Sequence, residues 1–166
     1  MSAFAEILET IGHASVKKRA ITNLDVLNEA YAYAKPSSFS RGMRIDLNGL
    51  TILLISGTAS IDEQGKSVHV GDFRAQMRRT LENITGLLRS EGCSWHDIVR
   101  TTCYLRDIER DYEAFNEERT SFFREHGLDP LPASTGIQAI LCRPELLVEI
   151  EAIAMFRAED AASVKE

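Results

Sequence analysis

The stretch Val148-Glu149-Ile150-Glu151-Ala152-Ile153-Ala154-Met155-Phe156 constrains the fold most. Small and apolar residues at 148, 150, 152 and 154 alternate with Glu149, Glu151, Ile153 and Met155, which is the period of a β-strand. Residues two apart on a strand share a face and lie roughly 6.5–7 Å apart at ~3.3 Å rise per residue. Both carboxylates therefore face the same way. Two readings of that pair stand: a solvated sheet face, or a general acid or base beside a second charge. Upstream, from Pro132, the chain reads as another strand leading through a turn into this one.

The preceding chain supplies the partners. Residues 3–11 place Phe4, Ile7, Leu8 and Ile11 on one helical face, and Ile21, Leu24, Leu27, Ala30 and Tyr31 predict a second helix over 16–34. Lys35-Pro36 ends it, because a residue before proline avoids the α region. No chemistry is read in residues 1–34. Met43, Ile45 and Leu47 alternate with polar residues, Asn48-Gly49 is a hairpin signal, and Leu50 to Ile55 reads as a strand buried on both faces. That strand ends at Ser56-Gly57-Thr58, where a hydroxyl and a glycine suit close approach of a ligand, or a bulge or turn. Asp72 caps a helix from Phe73 to Glu91 with the stripe Phe73, Met77, Leu81, Ile84 and Leu88. Ser94 to Asp97 resembles a capping box, followed by a strand from Ile98 to Leu105 with Val99, Thr101, Cys103 and Leu105 on one side. Ile108, Tyr112, Phe115, Arg119 and Phe122 mark a last long helix.

The order is hairpin, helix, strand, helix, two strands. Each long helix links two strands, so both helices are expected on one sheet face. The other face then needs a partner, and self-association is the economical solution. Three segments are expected: a helical N-terminal extension over 1–34, the main domain over 35–157 and a polar tail over 158–166.

Charge and cysteine usage narrow the partners. A net charge of -6 argues against nucleic acid, since phosphate binding wants a basic face. Cys93, Cys103 and Cys142 lack metal-type spacing and read as free thiols in a reducing compartment. With no apolar run near the ~20 residues of a membrane span and no signal-peptide pattern, a cytoplasmic location without membrane contact is expected. There is no P-loop, no G-x-G-x-x-G, no H-E-x-x-H and no G-x-S-x-G elbow, and His13, His69, His96 and His126 are scattered. Chemistry through a carboxylate, hydroxyls and backbone groups, without metal or cofactor, is the expectation.

Six elements occur in a specific order: Ile55-Ser56-Gly57; Ala75-Gln76 with Leu81 and Asn83; Asp97-Ile98-Val99 with Thr101-Thr102; Tyr112 with Phe115-Asn116; Pro132-Ala133; and Val148 to Ala154. Together they resemble the RidA/YjgF family, once called L-PSP endoribonucleases or translation-inhibitor proteins, over about Pro36 to Phe156. The resemblance implies an α+β chorismate-mutase-like fold: a mixed six-stranded sheet with two long helices on one face, a homotrimer, and sites in clefts between subunits. It also implies hydrolysis of enamines and imines to a keto acid and ammonia, without cofactor.

Carried over residue by residue, the family's strand-end serine matches Ser56, followed by Gly57, and its water-activating glutamate matches Glu149. Its tyrosine in the loop before the sheet is Phe39 here, which keeps the ring and loses the hydroxyl. The arginine after Pro-Ala, which holds the substrate carboxylate, is Ser134, in the run Ser134-Thr135-Gly136. A serine cannot replace that charge, which is worth about 1.5–3 kcal/mol in a charge-assisted contact. Arg41 and Arg143 are candidates for a displaced cation, Glu151 for a second charge, and the Ser-Thr-Gly run for hydroxyl and backbone N–H binding. Three readings follow: a deaminase or hydrolase on an enamine, imine or carboxylated metabolite, with aminomuconate deaminases and chorismatases as related variants; a non-catalytic metabolite-binding or regulatory trimer; and a ribonuclease, against which the acidic charge counts.

Overall fold

The computed structural model of the protein describes residues 16–157. β1 (Lys17–Ala20), β2 (Gly42–Leu47) and β3 (Leu50–Ala59) form an antiparallel meander. α1 (Phe73–Ser90) leads to β4 (Ile98–Leu105), and α2 (Ile108–Glu125) leads to β5 (Ala133–Gln138) and β6 (Val148–Arg157). The strands make one six-stranded sheet in the order β1-β2-β3-β6-β4-β5. β4 and β5 pair in parallel and the other neighbours antiparallel, so the sheet is mixed. β6, the strand with the sharpest alternation, lies between β3 and β4 in the middle of the sheet. The fold is α+β, with both helices on one face.

Local chemistry explains the elements. Asn48 and Gly49 sit at φ 50° and 80°, as a two-residue turn matched to the twist of its strands requires. The Asp72 side chain accepts from the Ala75 N–H at the start of α1, and Phe73, Met77, Leu81, Ile84 and Leu88 are all buried. They pack on Val148, Ile150, Ala152, Ala154 and Phe156 of β6 and on Leu53 and Ile55 of β3, forming one core between helices and sheet.

The opposite face carries Glu149, Glu151, Ile153 and Met155 of β6, with Leu54 opposite Ile153 and Ile52 opposite Met155 in the register. Leu54 and Met155 remain 41% and 42% exposed, so this apolar face is uncovered among the described residues.

Several expectations are corrected. No helix spans 16–34. Lys17–Ala20 is an edge strand, and its run of Lys-Lys-Arg suits an exposed edge. Ile21, Leu27 and Ala30 are buried, but they sit on successive turns: Val26 and Leu27 N–H both donate to the Asn23 carbonyl, and Asn23 Oδ1 accepts from Asp25 N–H. Such local bonding by asparagine competes with helix. Leu24 and Tyr31 face solvent, and one 3-10 turn covers Ala30–Ala32. The helix expected over 3–11 and the tail over 158–166 lie outside the described residues.

β3 is not buried on both faces; it alternates, leaving Leu50 and Leu54 exposed. It also continues past Ser56 to Ala59. On β4, a register shift between Ile98 and Arg100 turns Val99 outward, away from buried Thr101, Cys103 and Leu105. On α2 the inward residues are Asp111, Phe115, Glu118 and Phe123, while Tyr112 is exposed. Glu118 is kept inside by two arginines of α1, Arg74 and Arg78, which donate to it at 2.7–2.9 Å. Arg74 and Arg78 thus tie the two helices together through Glu118.

Candidate functional site

The site grows from a fault in β3. Ile55 faces Ala152 and Thr58 faces Ile150, so Ser56 and Gly57 together stand opposite the single residue Glu151. This is a β-bulge, which breaks the ladder and re-aims side chains. Ser56 N–H then bonds Arg41 O at 3.1 Å, and its hydroxyl donates to Ser40 O at 2.7 Å. The Ser56 oxygen keeps lone pairs to accept from a ligand. Among the described residues no basic side chain is hydrogen-bonded to it, so it is not arranged as a nucleophile.

Glu149 lies over Gly57. A β-carbon at 57 would come within 2.0 Å of Glu149 Oε1, so the close seat of the carboxylate needs glycine. Burial pushes the Glu149 carboxyl above the usual carboxylate range; a hydrogen bond from Cys142 pulls it down, and the Glu151 charge pushes it up. The Cys142 Sγ–Glu149 Oε2 distance is 3.8 Å. Tyr104 stands directly across from Glu149 in the register of β4. Its phenol is pushed up by burial first, then by Glu151 and Glu149.

A cleft of about 1070 Å³ opens beside Glu149, with Phe39, Ser56, Gly57, Arg143 and Glu151 among its walls. Tyr33 also lines it, and the guanidinium carbons of Arg41 and Arg143 each lie 5.0 Å from its ring centroid. Arg41 is only 4% exposed and is committed: it donates to Asn28 O at 2.8 Å and to the Tyr33 hydroxyl, with Phe39 at 5.5 Å. The loop carrying Cys142 and Arg143 is pinned from two sides. Gln76 Nε2 donates to Glu145 O at 2.9 Å and Gln76 Oε1 accepts from Leu147 N–H at 2.8 Å. Arg106 donates to the carbonyls of Leu146 and Arg143 at 2.5 and 2.6 Å.

Of the residues singled out from sequence, Phe39, Arg41, Ser56, Gly57, Arg143, Glu149 and Glu151 meet at this one cleft. Ser134, Thr135 and Gly136 do not line it. They lie on β5, the edge strand beyond β4. There Ser134 Oγ accepts from Arg119 at 3.0 Å and from Thr101 at 3.1 Å, and Thr135 Oγ1 accepts from Arg100 at 3.1 Å. Sequence reasoning did not single out Tyr33 and Cys142, which line the cleft, or Tyr104, which stands across from Glu149. Position 33 gave no signal, because its approach to Arg143, far along the chain, is made only by the fold.

The geometry offers a half-buried carboxylate with raised affinity for a proton, an accepting hydroxyl beside it, and a partly cationic, aromatic wall. That set suits proton transfer to and from water next to a planar, polar ligand. No helix among the described residues is long and apolar enough to cross a membrane.

The family model described as Endoribonuclease L-PSP matches residues 27–156. The 3-aminoacrylate deaminase RutC of Acinetobacter baylyi is 37% identical over 103 residues, covering 62% of this chain and 78% of that protein. The solved YjgF gene product of E. coli superposes with a TM-score of 0.66 at 27% identity, over 84% of this chain and 99% of that one. E. coli TdcF, solved with bound serine, gives a TM-score of 0.65 at 26% identity, over 83% and 98%.

Proposed function

The chain belongs to the Endoribonuclease L-PSP family, that of RidA and YjgF, and from that premise we propose that it is a cofactor-independent deaminase of small enamines or imines. The observation that carries this reading is the seat of Glu149: half-buried, over Gly57, facing the cleft, with its proton affinity raised. RutC, named as a 3-aminoacrylate deaminase, supports it by similarity.

The enamine first takes a proton from solvent on carbon and becomes a protonated imine. The Glu149 carboxylate accepts a proton from water as the water oxygen bonds to the imine carbon. The resulting carbinolamine receives that proton on nitrogen, its C–N bond breaks to release ammonia, and its hydroxyl returns a proton to solvent as the carbonyl forms. One water is consumed and one ammonia released. A carboxylate with a raised pKa is the better base here, because it holds the transferred proton more firmly. Ser56 accepts from the ligand's N–H, and Phe39 and Tyr33 flank its planar body.

The active assembly in this reading is a homotrimer. The uncovered apolar face around Leu54, Ile153 and Met155 is the contact surface, since an exposed face of this kind seeks a partner. A neighbouring copy would bring its Ser134-Thr135-Gly136 edge towards the cleft. Net charge of -6 disfavours an RNA backbone as substrate.

The test is ammonia release from 3-aminoacrylate and from imines of the 2-aminoacrylate type, formed in place, by the purified protein. Ammonia formed at a rate proportional to protein supports the reading. A folded protein that binds carboxylated ligands and releases none overturns it in favour of a metabolite-binding trimer.

A further inference from the structure

The cleft beside Glu149 is larger and more cationic than a three-carbon enamine requires. Its volume of about 1070 Å³ lies just above the roughly 300–1,000 Å³ typical of ligand pockets. Lys35, Lys66, Arg41 and Arg143 line it against Glu145, Glu149 and Glu151, in a chain of net charge -6. Among the cations, Arg143 has the geometry of an anion anchor.

Arg143 Nη1 donates to Gly65 O at 2.8 Å and to Ser67 Oγ at 3.2 Å, and the guanidinium carbon stands 5.0 Å from the Tyr33 ring centroid. Gly65 brings Tyr33 this close: a β-carbon there would lie 2.5 Å from Tyr33 Cε1. Loop and ring hold the guanidinium plane, while Nη2 and Nε have no hydrogen-bond partner among the described residues. No carboxylate lies within 4.0 Å of it among the described residues. Arg41 cannot serve, being buried and spent on Asn28 O and Tyr33.

Resting on the deaminase reading, we propose that Arg143 binds the carboxylate of the substrate, a planar enamine or imine whose body lies along Tyr33 and Phe39 in the cleft that also holds Glu149.

The experiment is calorimetric binding of adipate and of its monoamide, both unreactive, to the wild type and to Arg143→Gln, Arg143→Lys and Arg119→Gln, with melting curves for each. Adipate is expected to bind the wild type and Arg119→Gln equally. It should bind Arg143→Gln at least about tenfold more weakly, the loss of one charge-assisted contact. Arg143→Lys keeps a charge and a donor to Gly65 O, so it should fold and recover part of the affinity. The monoamide keeps a single carboxylate, and its affinity should fall in Arg143→Gln as that of adipate does. Undiminished affinity in a folded Arg143→Gln or Arg143→Lys, loss in Arg119→Gln instead, or no adipate binding to the wild type would each overturn the assignment. Binding through Arg143 by a protein that releases no ammonia would sink the deaminase reading alone.

Discussion

Glu149 Oε1 occupies the space 2.0 Å from where a β-carbon on Gly57 would be, so the carboxylate of β6 and the bulge of β3 are built around each other. The bulge sets Gly57 under the carboxylate, and the strand alternation sets the carboxylate over the bulge.

Gly57→Ala should therefore act on chemistry more than on folding. The atoms met first belong to a flexible side chain, which swings aside. A displacement of the base by about 1 Å costs on the order of 10²-fold in rate. The check is kcat for the variant beside its melting temperature, which should shift little.

The pH dependence of turnover should show its acid limb above the usual carboxylate range, with activity rising as Glu149 loses its proton. Glu151→Gln removes a charge that raises the Glu149 pKa, so it moves the limb to lower pH. Cys142→Ala removes a hydrogen bond that lowers it, so it moves the limb to higher pH. Rate profiles of the three proteins decide; a limb that stays fixed in both variants contradicts Glu149 as the titrating base.

Glu149→Gln should stabilise the fold at neutral pH. A carboxyl whose folded pKa lies above its unfolded value contributes stability below the unfolded pKa and loses it as pH rises through the folded one. Replacing it by an amide removes that loss, on the order of 1 kcal/mol. Denaturant titrations at neutral pH and at pH 4 should show a gain only at the former.

Leu54→Glu places a carboxylate opposite Ile153 on the uncovered face. If this face joins the copies of a trimer, burying an unpaired charge there costs several kcal/mol and prevents assembly. Light scattering should give a trimer for the wild type and a monomer for the variant. A variant that stays trimeric moves the interface elsewhere.

Much of this architecture could be read from the chain. The Asn48-Gly49 turn, the Asp72 cap and the β6 alternation are local signals, and each appears in its place. The carboxylate pair needed only the period of two. β1 was illegible because Lys17-Lys18-Arg19-Ala20 has no apolar alternation; its strand state comes from pairing with β2. The apolar spacing from Ile21 to Tyr31 imitated a helix, but the turns there bury Ile21, Leu27 and Ala30 and leave Leu24 and Tyr31 exposed. Tyr33 meets Arg41 and Arg143 only through the fold, and the separation of Ser134 from Glu149 depends on strand order, which puts β5 at the edge.

The central claim is that Glu149 moves the proton. The most direct measurement is steady-state ammonia release from 3-aminoacrylate and from 2-aminoacrylate-type imines, by the wild type and by folded Glu149→Gln under identical conditions. The account predicts release by the wild type and a loss of about 10²–10⁴-fold in the variant, the contribution of a positioned acid–base group. Equal rates from the two proteins would contradict it.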